Sequence, residues 1–330
     1  MTNINLSTFG FPNAGTPSNE TERRQRFKLE FITEVMRVYN KALIFKDKHM
    51  IRPIAGKKGA EFPIAGRATA GYHTPGTPRL GNQNIPVTDI IINVDGLLHS
   101  HVTIADIDQA MSHIDYRSIF TEEMAYALAK QYDELVARML VKSSRIASPN
   151  AHMPSGFYEW SANAGTDAAV LRGLIEKASE KFDTNDIREH DRFGAVRAPQ
   201  WHLLARHDAL YNRDNGITDG NRSKLMLPPI AGVNISMSNQ VPNTNVVAND
   251  AQQLNDYTGD FTNTVGLVWQ KAAAGSVHLK EPEMKMTGEE YDAMYAATLI
   301  VVQQATGHGV LRTDSAVELM KDNASADPRA

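Results

Sequence analysis

At 330 residues, the chain is long enough for two domains or one large elaborated one, at about 150 residues per domain. Hydrophobic residues at 42%, charged residues at 22%, 22 Gly and 15 Pro are the proportions of a chain that folds around a substantial core, which excludes general disorder and collagen-like structure. Cys is absent, so disulfide scaffolds, thiolate zinc sites, iron-sulfur clusters and cysteine nucleophiles are excluded together, and any metal site would use His, Asp and Glu.

No window approaches the roughly eighteen apolar residues of a spanning helix, and the best run, Ala296 to Val302, is short and contains Thr298. The N-terminus lacks the basic stretch and apolar core of a secretory signal, so Asn-x-Ser/Thr triplets such as Asn19-Glu-Thr21 count as chance. The net charge of -4 is unevenly spread. Residues 1–60 carry 11 Lys/Arg against 5 Asp/Glu, and the remainder 23 against 33. A basic front therefore precedes an acidic body, which suits either a solvated charged helix or contact with an acidic partner such as nucleic acid.

Residues 1–20 are rich in Asn, Gly, Pro, Ser and Thr without a period and predict an extended segment. From Thr21, Phe27, Phe31, Val35 and Val38/Tyr39 recur at three to four residues, predicting an amphipathic helix that ends near Asn40 to Phe45, with Arg23, Arg24, Arg26 and Lys28 in its first turns. Residues 52–86 hold six Gly and five Pro in 35 positions, yet include Phe62-Pro63-Ile64 and lead into an alternating strand, Val87 to Val94. Thr88, Ile90, Ile92 and Val94 share one face of it. Asp95-Gly96 signals a turn or bulge, and a second strand follows at Leu97 to Ile104 with Leu98, Val102 and Ile104 on one face. Residues 51–100 thus predict a long two-stranded arm with a loose tip. Such a ribbon is marginal alone in water and leaves its edges bare, so something has to cover it. An excursion this long is expected only where it reaches across to another chain.

Helical spacing returns from Ser112 to about Ala147, through Ile119/Phe120, Met124, Leu128, Leu135, Met139 and Leu140, and predicts a rod of roughly 45 Å. Thr166 opens a shorter helix through Val170, Leu171, Leu174, Ile175, Ala178 and Phe182. A strand at Trp201 to Ala205 and a helical turn at His207 to Asn212 are expected next. Between Asn212 and Asp260 turn signals dominate, with strands expected only at Ile230 to Met237 and then at Val265 to Gln270. Thr287-Gly-Glu-Glu290 fits a capping box and predicts a helix through Tyr291, Met294/Tyr295, Leu299 and Val302, stopped at Gly307-His308-Gly309.

Catalytic signatures are largely absent: there is no phosphate-cradling glycine loop ending in Lys-Ser/Thr, no Gly-x-Ser-x-Gly elbow and no His-Glu-x-x-His. Gly56-Lys57-Lys58-Gly59 is too short for a phosphate loop and suits an exposed basic tip. The best metal candidate is His99-Ser-His101, with both imidazoles on one strand face and Asp106 and Asp108 shortly after. This is the basis of an alternative reading, a metal-assisted hydrolase. Asp214 to Ser223 lacks the ligand order of a calcium loop, and Trp201-His202, His207-Asp208 and His190-Asp191 are not gathered into a nucleophile, base and orienting partner.

The chain resembles the major capsid proteins of short-tailed, autographivirus-type bacteriophages, which share the Hong Kong 97 (Johnson) capsid fold. The resemblance covers roughly residues 25–320. It is carried by His49-Met-Ile-Arg-Pro53, Glu61-Phe-Pro-Ile-Ala-Gly-Arg67, Tyr72-His-Thr-Pro-Gly76, Ile92-Asn-Val-Asp-Gly-Leu-Leu98, Ala105-Asp-Ile-Asp108, Ile114-Asp-Tyr-Arg-Ser118 and Gly307-His-Gly-Val-Leu-Arg312, in that order and spacing. It is looser over 213–263. It implies an α+β fold with an N-terminal arm (1–50), an extended loop (51–100), a peripheral domain with the long spine helix (101–160), an axial domain (161–295), and a return to the peripheral domain (296–330).

The resemblance further implies a non-enzymatic protein without cofactor, assembling with itself as hexamers and pentamers into an icosahedral shell around double-stranded DNA held without sequence specificity. It implies a separate scaffolding protein, since the twenty loop-like residues before the first helix leave no space for a fused one, together with a portal protein and room for a decoration protein. The expected place is the virion, after assembly in the host cytoplasm, with no membrane partner. Lys57, Lys58, Phe62, Ile64, Arg67 and Tyr72 are the expected inter-subunit contacts, and Arg23, Arg24, Arg26 and Lys28 the expected residues facing interior DNA or scaffold. No Lys-to-Asn crosslink is expected at Lys57 or Lys58. A cellular compartment shell of the same fold is a further alternative.

Overall fold

The computed structural model describes residues 33–66, 68, 70–78, 87–105, 116–147, 155–207, 210, 227–287, 291 and 294–322. After a helical segment at 33–42, the chain forms strands β1 (Met50–Pro53), β2 (Gly59–Ala65), β3 (Val87–Asn93) and β4 (Leu98–Ala105), then helix α1 (Tyr116–Arg145). There follow β5 (Phe157–Trp160), α2 (Ala168–Thr184), β6 (Arg192–Val196), α3 (Ala198–Ala205), β7 (Asn234–Met237), β8 (Asn245–Val246), β9 (Gly259–Asp260), β10 (Thr264–Gln270), β11 (Ala274–Met286), β12 (Ala297–Val310) and β13 (Ala316–Met320). Two compact units result. The first takes the chain up to Leu43, Leu97–Gln131 and Lys280–Gln304; the second takes Ile44–Gly96, Tyr132–Leu279 and the chain from Ala305.

In the first unit β4 pairs antiparallel with β12, from Ala297↔Ala105 to Gln304↔Leu98. The alternation expected of Leu98 to Ile104 is present, with Ile104 buried and His99, His101 and Thr103 exposed. Val35, Tyr39, Met124, Leu128, Met284, Ile300 and Val302 close over that apolar face. Helix α1 is 30 residues long, as the spacing predicts.

Two predictions fail here. The helix expected from Thr287 to Val302 is instead strand β12 from Ala297 onward, with helical backbone described only at Tyr291, Met294 and Tyr295. Thr287 is bonded to the backbone of β12. Its N–H donates to Leu299 O at 3.1 Å and its Oγ1 accepts from Leu299 N at 3.0 Å, so it closes the β11–β12 turn. The β-branched run Thr298, Ile300, Val301, Val302 favours a strand over continuation of the helix. Likewise Gly307-His308-Gly309 lies inside β12 and stops nothing.

The second unit holds a five-stranded sheet ordered β5-β13-β10-β6-β7. Its apolar face packs Val196, Val265, Val268, Val317 and Leu319 against Leu171, Leu174, Ile175, Ala178 and Phe182 of α2, the face the spacing predicts. The cap of α2 is Asp167, whose Oδ1 accepts from Ala169 N at 2.8 Å. Trp201 to Ala205 is helical, correcting the expected strand, because Pro199 sits in the first turn and the short apolar run has no period to distinguish the two. The turn expected at 207–212 is described only at His207 and Leu210. β7 and β10 match the strands expected near Ile230 to Met237 and Val265 to Gln270, while β6, β11 and β13 carried no sequence signal that marked them as strands.

Candidate assembly surface

The second unit carries a two-stranded hairpin. β2 and β3 pair antiparallel over seven positions, from Gly59↔Asn93 to Ala65↔Val87. The partner of β3 is therefore the Phe62-Pro63-Ile64 piece; Leu97 to Ile104 pairs elsewhere. On one face Ala60, Ile64, Ile92 and Val94 are buried with Val277, Ala305 and Leu311. On the other, Glu61, Pro63, Ala65, Val87, Asp89 and Ile91 are exposed, with Val87 and Ile91 each 61% accessible. These two are β-branched apolar side chains that no part of the described chain covers. Among the described residues the sheet has two strands, so each has an edge that no further described strand pairs, and Pro63 lacks the N–H that would otherwise be offered there.

The root of this hairpin is seated against the strands beneath it. Val94 N donates to Lys58 O at 2.8 Å, Asp95 N to Thr306 O at 3.1 Å and Gly96 N to Gln252 O at 2.8 Å. A Cβ on Gly307 would stand 1.9 Å from Asn93 O, and one on Gly309 2.7 Å from Ile92 Cγ1. Only glycine fits there, so the two residues predicted to stop a helix instead admit the hairpin's backbone.

Asp95 is the polar centre of the root. Its carboxylate accepts from Leu254 N (2.8 Å), Asn255 N (3.1 Å), Asn255 Nδ2 (3.0 Å) and the Tyr257 hydroxyl. Burial pushes its pKa up, against those hydrogen bonds. Burial and the neighbouring carboxylate push the Tyr257 phenol up in turn, which keeps it a donor. The same hydroxyl accepts from His308 N at 3.1 Å. His308 opens onto a wholly buried cluster: Ser276 Oγ lies 2.6 Å from His308 Nδ1 and 2.7 Å from His49 Nε2, and Tyr132 OH lies 3.2 Å from His49 Nε2 and 3.0 Å from His278 Nε2. His49 Nδ1 donates to Phe45 O at 2.8 Å. Burial lowers the His49 pKa to about 4 and holds His308 well below the ordinary imidazole value.

Sequence reasoning missed this cluster, because His49, Asp95, Tyr132, Tyr257, the Ser276–His278 pair and His308 come from separate stretches of chain. The sole signal was indirect: His49, Asp95 and His308 each lie within one of the pieces that carry the capsid resemblance.

Of the predicted contacts, Lys57, Lys58 and Tyr72 are exposed, Phe62 is half-buried under the Arg52 guanidinium at 5.9 Å, and Ile64 is buried in the hairpin's own base. The Ile64 burial is a correction: it holds the hairpin from below. Arg67, Arg23, Arg24, Arg26 and Lys28 lie outside the described residues, as do Asp106, Asp108 and the 214–223 segment. His99 and His101 are exposed and stacked, ring centroids 5.5 Å apart, and among the described residues no three His, Asp or Glu side chains gather as a metal site. Two imidazoles alone fall short of the three or four protein ligands of a zinc centre.

A family model described as Gp10A-like: Major capsid protein matches residues 61–320. The chain is 25% identical to the major capsid protein of Enterobacteria phage T3, over 92% of this chain and 94% of that one, and 25% identical to that of Escherichia phage T7, over 86% and 88%. Among solved structures it is similar to the capsid of cyanophage P-SCSP1u, with TM-score 0.77, 35% identity, and 86% of this chain and 89% of that chain covered. The mature capsid of bacteriophage PhiM1 shares the fold at TM-score 0.70 and 16% identity, covering 86% and 88%. The α+β architecture is thus that of the Hong Kong 97 capsid fold, and the chain belongs to the Gp10A-like family of major capsid proteins.

Proposed function

We propose that this major capsid protein closes an icosahedral shell as hexamers and pentamers, with the β2–β3 hairpin lying over a neighbouring copy. The observation that carries this is the hairpin itself: one face is anchored in its own unit, and the other presents Val87 and Ile91 to solvent beside unpaired strand edges. Apolar area contributes about 25 cal/mol per Å² when removed from water, so a second copy supplies the burial one chain lacks. In this reading residues 1–50 are the N-terminal arm, 51–100 the extended loop, 101–160 with α1 the peripheral domain, 161–295 the axial domain and 296–330 the return. Lys57, Lys58, Phe62, Arg67 and Tyr72 contact the neighbouring copy, without a covalent weld.

The expressed chain should form shells visible by negative-stain microscopy. The double variant Val87→Asp/Ile91→Asp should keep its unfolding free energy within about 0.5 kcal/mol, since both positions are exposed, but should fail to close shells. Normal shells from that variant would remove the hairpin from the interface.

Arg23, Arg24, Arg26 and Lys28 are placed on the interior, neutralising DNA phosphate or a separate scaffolding protein. Point charges suffice there because packaged DNA is held without base readout. Reversing all four charges should lower particle yield or DNA retention several-fold; unchanged values for both would refute the placement. A portal and a decoration protein complete the set of partners, and the virion, assembled in the host cytoplasm, is the proposed location. The protein has no enzymatic role in this reading. The family match, beyond the fold, supports this reading over the hydrolase and the compartment shell.

A further inference from the structure

The buried cluster beneath the hairpin is connected in one direction only. Phe45 O accepts from His49 Nδ1, so in the neutral ring Nε2 is bare and accepts the Ser276 hydroxyl proton. Ser276 Oγ has then used its proton, and His308 Nδ1 has to be the donor at 2.6 Å, which leaves His308 Nε2 to accept from Thr306 Oγ1 at 3.4 Å. Every group is served while both rings are neutral. A proton on His49 Nε2 turns it into a donor facing Ser276 and Tyr132, and Ser276 must reverse toward His308, which has to move its own proton to Nε2. A second proton, on His308, leaves Ser276 between two N–H donors with no acceptor for its hydroxyl. Two imidazolium charges then stand in a wholly buried space where, among the described residues, no carboxylate is hydrogen-bonded to either ring.

His308 lies between the two glycines that receive Asn93 and Ile92, and its backbone N–H is held by the Tyr257–Asp95 pair that fastens the hairpin's end. We propose that this cluster is a proton-sensitive latch on the root of the β2–β3 hairpin: neutral, it seats the hairpin, and charging it in acid releases the root. The groups that bear on it are His49, with Asp47 and Lys271 acting on that ring in opposite senses, His278 on β11, Tyr132 on α1, His308 on β12, and Tyr257 with Asp95. Asp133 and Lys48 lie one residue away along α1 and the chain before β1. The latch is a property of the chain; only its consequence for a shell rests on the proposed placement of the hairpin.

Imidazoles of the unfolded chain take up protons below about 6.5, whereas His49 in the fold does so only near 4. Stability due to its neutrality is therefore complete above about 6.5 and is lost as pH falls toward 4. Asp133 acts oppositely: burial pushes it up to about 7, so its contribution is complete below about 3.8 and is lost as pH rises to 7. Comparison with histidine variants separates the two.

The experiment is hydrogen exchange at the amides of 59–65 and 87–93, on the expressed chain and on particles, corrected for the chemical pH dependence. Wild type should show hairpin opening rising about tenfold or more from pH 7 to pH 4.5. His308→Asn keeps a hydrogen-bonding atom toward Ser276 and His49→Gln keeps one at the Nε2 position, and neither charges; each should reduce the rise at least threefold, while Asp133→Asn should retain it. A flat wild-type profile, or variants that open in acid like wild type, overturns the latch. Should the variants not fold, the wild-type imidazoles are titrated by NMR. Proton uptake by His49 and His308 while the hairpin amides stay protected refutes it, and uptake coincident with their exposure supports it. Failure of the shell reading would show in microscopy and leave this result unchanged.

Discussion

Replacing Gly307 by Ala is expected to cost about 4 kcal/mol, enough to leave most of the expressed chain insoluble or unfolded. The added Cβ would lie 1.9 Å from the carbonyl oxygen of Asn93, which belongs to backbone and has no rotamer by which to move away. Asn93 ends β3 in register with Gly59, Val94 N is bonded to Lys58 O and Asp95 N to Thr306 O, so relief by backbone shift would break the root of the hairpin. Two controls make the series informative. Gly309→Ala meets side-chain instead of backbone atoms, Ile92 Cγ1 at 2.7 Å and Cδ1 at 2.9 Å, and should cost about 1–3 kcal/mol through overpacking. Gly71→Ala meets nothing within 4 Å and should stay within about 0.5 kcal/mol. Denaturant midpoints and soluble yields that failed to rank in this order would show that the root is not closely seated.

The second large effect is expected at Arg145. Its Nε and Nη2 each donate to Glu318 at 2.7 Å, and its guanidinium lies over Phe261 at 5.2 Å. Glu318 is fully buried on β13 and also accepts from the Thr264 hydroxyl. Arg145→Met keeps the aliphatic length but strands a buried carboxylate, and should cost about 3–5 kcal/mol. Adding Glu318→Gln removes the stranded charge, so the double variant should recover at least about 1 kcal/mol over the single one. A double variant no better than Arg145→Met in chemical denaturation would show that the pair acts by packing instead of by mutual neutralisation.

Where hydrophobic period was strong, the sequence sufficed. The spacing of Met124 to Leu140 gave the 30-residue α1, that of Leu171 to Phe182 gave the buried face of α2, and the alternation of Val87 to Val94 gave the strand that projects. These periods reflect one buried and one wet face, a local property of each element. The long strands β11 and β12 were illegible for the opposite reason. Ser276, His278, Gln303, Gln304, Thr306 and His308 are buried polar residues, and polar residues in a strand carry no period when both faces are enclosed. At 297–302 helical spacing competed with a β-branched run, and pairing with β4 decided for the strand.

The sequence by itself determined the family and the alternating faces of β3, because these follow from the order of local motifs and from apolar residues spaced on one side of an element. Only the tertiary structure decided that β2 is the partner of β3, that Ile64 anchors where an intermolecular contact was expected, and that His49, Ser276 and His308 converge under Asp95. Those facts depend on groups far apart in sequence coming within hydrogen-bonding or van der Waals distance. Neither polarity nor spacing along the chain encodes such distances; they are set when the strands pair and the glycines let backbone approach backbone.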